Sequence, residues 1–445
     1  MLRPSRYIIT MHITEGKYFF VNTFTGAALL GTEKVWKILK GDNPTCDEET
    51  LTELVSGGFL TELTPQEETE YAFEKLKSAH NLYAEHTLFA LILTYQCNMR
   101  CSYCFESYLF EKDQSWLEQV MTTEMVDAAF EAMENLNPDT RIPIHLFGGE
   151  PLMLQNYELV KYVLEKGKSY NKSFLVVTNG LEADQFIPLL AQNDVTSLQI
   201  TVDGTQDVHD TRRKKRDGTG TFHKIVSNID LLADSGLQTY IKVVFDHSTV
   251  KTLPALMAFF TEKGWDNHKF VHYFLTPAGH HTEGGCFNFL CNVTQEDFEF
   301  LLHYKSLQRA LWQGLAPLRK KLGLGVETWL PSISYCRHNP SQTWFDPLGD
   351  LYFCTDSLGD PEHAVGRYYP NLSFNQNYYL WKKRTIFDMK SCHHCRFAMI
   401  CGGGCGHYAY HGKGNLLHPD CTFPKQARQV YYPLLVKMIE SLGTE

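Results

Sequence analysis

The stretch QCNMRCSYCFES, Gln96 to Ser107, decides how the rest of the chain is read. Cys97, Cys101 and Cys104 stand in C-x3-C-x2-C spacing directly after the apolar run LFALILT, with no fourth thiol beside them. Structural zinc prefers four protein ligands, and a thioredoxin-like pair needs only two thiols. A cube-shaped iron–sulfur cluster suits three thiolates in one tight loop, because its fourth iron is left for an exogenous ligand. The spacing and the strand before it favour that reading over zinc or a buried thiol cluster.

Outward from this loop, strand-like and helix-like stretches alternate. TLFALILTY, RIPIHLFGG, SFLVVTNG, SLQITVDG, TYIKVVFD and KFVHYFLTP are apolar, β-branched or aromatic runs. EMVDAAFEAMENL, NYELVKYVLEKG and DQFIPLLAQN between them have helical periodicity. Such alternation predicts an α/β fold with a parallel sheet, open or curled into part of a barrel. Functional residues then belong at the C-terminal strand ends. Those ends carry the cysteine loop, GGEP, TNG and DG.

The flanks differ in kind. In residues 1–85, YIITMHI and KYFFVNT read as a hairpin, TEKVWKILKG and DEETLTELVSGG as short helices, and GFLTEL as a strand. These are winged-helix proportions, with an edge able to accept an extended peptide by strand addition; a plain structural cap has the same composition. Residues 86–325 hold the strand–helix region. Residues 326–445 contain seven of the thirteen cysteines, few periodic runs and a final apolar helix, LLVKMIESLG. A segment so poor in core predicts a need for metal to fold.

Bulk properties exclude several classes. The chain has 445 residues and a net charge of −10, which argues against non-specific nucleic-acid binding; RRKKR, Arg212 to Arg216, is a local exception. No apolar run approaches the roughly 18 residues of a membrane span, and the N-terminus lacks a signal-peptide pattern. The expectation is a soluble cytoplasmic protein, whose clustered cysteines read as metal or redox sites rather than disulfides.

Together, the three loop cysteines with Tyr103, FGGEP at 147–151, TNG at 178–180 and TVDGTQDVHDTRR at 201–213 resemble the radical S-adenosylmethionine (SAM) superfamily. The resemblance implies a partial (β/α)6 TIM-like barrel, and a [4Fe-4S] cluster on Cys97, Cys101 and Cys104 that binds SAM and cleaves it to a 5'-deoxyadenosyl radical. It further implies SAM contacts from Tyr103, Gly148, Gly149, Glu150, Thr201 and Arg213. The glycines let backbone approach the ligand, Glu150 accepts from its ammonium, Thr201 and Arg213 bind its carboxylate, and Tyr103 meets the adenine edge. Asp203 and Asp210 are expected only to brace loops.

The later cysteines resemble the SPASM pattern of peptide- and protein-modifying members. By that resemblance Cys392, Cys395, Cys401 and Cys421 hold an outer auxiliary cluster, and Cys336, Cys354 and Cys405 an inner one, giving three [4Fe-4S] clusters. The inner set is one thiolate short: Cys286, Cys291 or His338 completes it, or a substrate thiolate does, as in thioether-forming maturases. The implied function is a maturase that installs an oxidative crosslink in a ribosomally made precursor peptide. Its partners are a leader peptide on the N-terminal domain and a reductant such as flavodoxin or ferredoxin. One alternative is a sulfatase-type maturase that oxidises Cys or Ser to formylglycine, with Asp356 as base one residue beyond the family position, which Thr355 occupies. A small-molecule radical SAM enzyme is the other.

Overall fold

A computed structural model describes residues 2–42, 46–83, 87–104, 106–110, 115–278, 293–314, 331–336 and 342–426. Their contacts divide the chain into two units.

The larger unit comprises Tyr83–Gly314 and His338–Lys382. All six expected strands form in it: Leu88–Ile92, Ile144–Phe147, Phe174–Thr178, Val195–Thr201, Thr239–Phe245 and Val271–Pro277. Each lies parallel to the next, and their order in the sheet follows their order in the chain. With right-handed crossovers, an order that never reverses puts the connecting helices on one face, the topology of a barrel segment rather than a doubly wound sheet. The helices Thr123–Leu136, Tyr157–Ser169, Phe222–Asp234 and Leu253–Glu262 serve as those crossovers. The first is capped by Thr122, whose side chain accepts from the Met125 N–H.

Residues alternate along each strand between two faces. Leu198, Ile200, Ile241 and Val243 are fully buried, whereas Gln199, Thr201 and Lys242 are half-buried. Burying each of those aliphatic side chains contributes about 1.5–3 kcal/mol. The cysteine loop, GGEP, TNG and VDG follow the first four strands directly, so the fold collects them at one end of the sheet.

Four further strands make the sheet mixed. Gln342–Phe345 runs parallel beside Leu88–Ile92, and Asp350–Tyr352, Gly366–Arg367 and Ser373–Phe374 follow in antiparallel sequence. Residues expected in a separate C-terminal domain thus extend the parallel sheet, and Cys354 comes with them.

The smaller unit comprises Met1–Leu82, Leu315–Arg337 and Lys383–Glu445. Its start follows expectation: Ile8–Thr14 and Lys17–Asn22 pair antiparallel, and helices Glu33–Lys40 and Glu48–Ser56 come next. Asp47 caps the second helix by accepting from the Thr50 N–H at 2.8 Å. A third strand, Ala28–Thr32, was not expected and completes the sheet at its far edge. GFLTEL yields only a two-residue strand, Leu60–Thr61, paired with Arg3–Pro4. Ile8, Phe20, Ile38, Leu54, Phe59 and Leu60 form the core of this part.

The contacts group the N-terminal and cysteine-rich segments differently from the successive domains 1–85 and 326–445. Tyr7, Ala72 and Leu76 pack in one cluster with Ile333, Ile386, Met389, Cys392, Ala398 and Met399. Thr23 Oγ1 donates to the Arg396 carbonyl at 2.7 Å, and Arg6 meets His394 Nδ1 at 3.0 Å. The reason is physical: the cysteine-rich segment has too few apolar residues to close a core alone and shares one with the N-terminal helix. The expected C-terminal helix lies outside the described residues.

Candidate active site

The cysteine loop is fixed by pairing rather than by its own short hydrogen bonds. Met99–Cys101 forms an antiparallel ladder with Arg213–Lys215, placing Cys101 opposite Arg213. The Ser102 N–H donates to the Arg212 carbonyl at 2.9 Å. Arg216 Nε and Arg100 Nη1 both donate to the Cys97 carbonyl, at 2.9 and 3.1 Å. Asn179 Nδ2 lies 3.8 Å from Cys97 Sγ. Burial, with Glu150 nearby, pushes the Cys97 thiol up to about 12; burial and Glu106 do the same to Cys104. Burial also raises Cys101, against the pull of Arg213. Thiols held protonated in this way ionise when a cation binds. Among the described residues no three His, Cys, Asp or Glu side chains already surround one point. The ligand set therefore rests on the motif and on this neighbourhood.

The GGEP turn is packed against the same loop. A Cβ on Gly149 (φ +47°) would stand 2.3 Å from the Gln96 carbonyl oxygen, and one on Gly148 (φ +76°) 2.6 Å from Ile92 Cγ2. The structure gives these glycines a reason the sequence did not: they admit close approach of the protein's own backbone and side chains. Glu150 is buried and accepts from Thr178 Oγ1 at 2.6 Å, the Leu152 N–H at 2.9 Å and the Asn179 N–H at 2.5 Å. Three of roughly four lone-pair positions on the carboxylate are thereby used, and one is left for a donor. Burial raises its carboxyl to about 7.

Arg213 and Tyr103 come together. Arg213 is buried, its Nη1 donates to Tyr103 Oη at 2.8 Å, and its Nε has no partner among the described residues. Arg212 lies over the Tyr103 ring at 4.8 Å and is held by Asp203 at 3.4 Å and Asp246 at 2.5 Å. Burial opposes the Arg213 charge, but Tyr103, Cys101 and Asp203 around it hold its pKa above the usual range. Thr201 ends its strand half-buried, in register with Lys242. Asp210 accepts from the Thr221 and Phe222 N–H groups, and Asp203 from the Val244 N–H, so both brace backbone.

Residues 91–260 match the radical SAM superfamily. This chain carries a radical SAM domain. The serine-type anaerobic sulfatase-maturating enzyme of Bacteroides thetaiotaomicron is 24% identical over 349 residues, 69% of this chain and 80% of that protein. Mycofactocin maturase MftC of Mycolicibacterium smegmatis is 24% identical over 334 residues, 70% and 76% of the two chains. The crystal structure of Streptococcus suis SuiB bound to precursor peptide SuiA shares the fold, with a TM-score of 0.53 at 12% identity over 94% of this chain and 98% of SuiB. The superfamily's cofactors are a [4Fe-4S] cluster and SAM. The residues fit that pair: three clustered thiols, an orphan guanidinium N–H for a carboxylate and a carboxylate with one free acceptor position for an ammonium.

Sequence reasoning missed several residues of the radical SAM domain. Glu106 is buried, accepts from the Gly149 N–H at 2.9 Å and keeps Oε1 without a partner; burial raises it to about 7. Its nearness to Cys104 in the chain was the available signal. Asn179 ties the TNG turn to Asn98 at 2.8 Å. In the basic run RRKKR, Arg212 is buried beside Arg213.

The later cysteines divide between the units. Cys336, Cys392, Cys395, Cys401, Cys405 and Cys421 belong to the smaller, Cys354 to the larger. Burial pushes Cys392 up to about 12, with Cys395 and Cys421 as neighbours, and burial and Cys395 likewise raise Cys421. CGGGC takes positive φ at Gly402, Gly403 and Gly404, and a Cβ there would meet Ser334 C at 2.1 Å, Met389 Cε at 2.1 Å and Asp420 O at 1.8 Å. Asp356 sits in a short 3-10 turn with Oδ2 buried and unpartnered. Cys286, Cys291 and His338 lie outside the described residues. Among the described residues no helix is long and apolar enough to cross a membrane.

Proposed function

We propose that this enzyme matures a ribosomally made precursor peptide by installing an oxidative crosslink, a thioether or a carbon–carbon bond. When bound, the cluster and SAM supply a 5'-deoxyadenosyl radical that removes a hydrogen atom from the peptide. Cys97, Cys101 and Cys104 hold the cluster, Arg213 and Thr201 receive the methionine carboxylate, and Glu150 accepts from its ammonium. Tyr103 keeps Arg213 aimed. Cys392, Cys395, Cys401 and Cys421 hold an outer auxiliary cluster, and Cys336 and Cys405 contribute to an inner one.

The observation that carries the peptide reading is the open edge of the N-terminal sheet. Among the described residues Ala28–Thr32 pairs on one side only, and Leu30 on it is 60% exposed. Such an edge accepts an extended leader as an added strand, which keeps the core peptide on the same molecule as the barrel. SuiB, which shares the fold, binds the precursor peptide SuiA, and this supports the same reading. The test is the mass of a candidate precursor co-expressed anaerobically with the enzyme. A loss of 2 Da per event supports a crosslink, and unreactive cysteine thiols identify it as a thioether. An unchanged peptide beside an enzyme that still cleaves SAM refutes it.

A second reading has its own support. The Bacteroides relative is a sulfatase maturase by name, and Asp356 offers a buried carboxylate oxygen without a partner. If this enzyme makes formylglycine, Asp356→Asn abolishes product while SAM cleavage persists.

A further inference from the structure

Arg384 occupies the middle of the cysteine-rich segment and belongs to none of the motifs. It is 3% exposed. Its Nη1 donates to the carbonyls of Leu416 and of His418, the latter at 3.0 Å. Its Nη2 donates to the carbonyls of Gly403, Gly404 and Cys405 at 3.2, 2.9 and 3.1 Å. One guanidinium thus gathers five neutral oxygens from two loops, the CGGGC turn and the turn leading to Cys421. Carbonyl oxygens satisfy its N–H groups but do not cancel its charge. Burying a cation without a paired anion costs several kcal/mol. Cys405, Asp420, Cys392 and Cys401 all act on its charge, and a Cβ on Gly403, whose carbonyl it holds, would lie 4.0 Å from Cys392 Sγ. Asp420 accepts from the Thr422 N–H and hydroxyl through Oδ1 and from the Cys405 N–H through Oδ2, neutral donors that leave its charge in place beside the guanidinium. The other acids there are cysteine thiols.

We infer that Arg384 is the built-in counter-charge of the outer auxiliary cluster, a positioning residue that holds both cysteine loops by their carbonyls and sets the cluster's reduction potential. The inference rests on the proposed ligand set Cys392, Cys395, Cys401 and Cys421. A tetrathiolate cubane is an anion that becomes more negative on reduction, so a fixed buried cation beside it favours the reduced form. The carbonyls of Gly403, Gly404 and Cys405 turn onto one guanidinium, along a backbone path where a Cβ at Gly403 or Gly404 would meet close contacts.

The test uses the full chain, reconstituted anaerobically, as wild type, Arg384→Lys and Arg384→Gln. Iron is counted, and each cluster's midpoint is read by EPR-monitored redox titration, the outer signal being the one lost in Cys392→Ala. The expected result is a negative shift of the outer midpoint in Arg384→Gln of at least 59 mV, tenfold in the one-electron equilibrium. Arg384→Lys, which keeps the charge, stays within half of that shift. If Arg384→Gln fails to load the outer cluster, iron falls from about 12 to about 8 per chain, while Arg384→Lys keeps about 12. Identical behaviour of the two variants, whether both unshifted or both short of four irons, overturns the counter-charge role in favour of carbonyl bracing alone. A wild type with only about four irons overturns the ligand set itself, and the inference with it.

Discussion

Replacing Arg213 by Met separates the two tasks that the structure gives this part of the chain. The cysteine loop is attached to Arg213 through the backbone, by the ladder that sets Cys101 opposite it, so cluster assembly does not depend on the guanidinium. SAM binding does. The guanidinium loses its 2.8 Å bond to Tyr103 and the unpartnered Nε that faces no protein acceptor. A hydrogen bond to a charged group contributes about 1.5–3 kcal/mol. Loss of one such bond to the methionine carboxylate weakens SAM binding roughly 10- to 150-fold. Asp203 stays neutralised by Arg212 at 3.4 Å, which limits the damage to folding. The assay is equilibrium binding of SAM to the anaerobically reconstituted variant, with iron content and the EPR change of the reduced cluster on SAM addition. Full iron with affinity within threefold of wild type would refute the role assigned to Arg213. Arg213→Lys should fall between the two, because a point charge cannot also reach Tyr103 in the same fork.

Three further outcomes follow from named contacts. Gly149→Ala drives a methyl group to 2.3 Å from the Gln96 carbonyl in a left-handed backbone, so thermal stability should fall by about 2 kcal/mol or more and iron loading with it, measured by calorimetry and iron assay. Buried His209 is held at about 3 by burial and then by Arg213 and Arg212; its folded value lies below the unfolded one, so its contribution is complete above about pH 6.5 and is lost as pH falls. Between pH 6.5 and 5 that loss is about 2 kcal/mol, and His209→Gln should flatten the slope of urea midpoints over this window. Leu30→Asp on the open sheet edge should leave stability within about 0.5 kcal/mol but weaken leader-peptide binding about tenfold, read by fluorescence anisotropy.

His209 also shows how a buried side chain acts at a distance. Its Nδ1 accepts from the Asp203 N–H at 3.4 Å, which leaves the proton on Nε2 to donate to Thr221 Oγ1 at 3.1 Å. Thr221 in turn donates to the Arg213 carbonyl at 2.7 Å. Protonation would oppose two N–H groups at Asp203 and loosen the backbone that presents Arg213.

What the sequence determined by itself is the part written in local spacing. Six apolar, β-branched or aromatic runs, the first four followed by the cysteine loop, GGEP, TNG and DG, specified the parallel sheet and the end at which its chemistry collects, because strand period and turn residues are local signals. C-x3-C-x2-C likewise proposed its ligands from position alone. Tertiary structure decided the rest. Whether Arg213 is solvated or buried against Tyr103 depends on a ladder with Met99–Cys101, more than 100 residues away in sequence. The glycines of GGEP answer to Gln96 and Ile92, and Arg384 to carbonyls up to 34 residues on. The N-terminal and cysteine-rich segments share one core because neither Tyr7 nor Cys392 finds enough apolar neighbours near it in sequence. Burial and charge compensation are sums over whatever the fold brings near, and no window of sequence contains them.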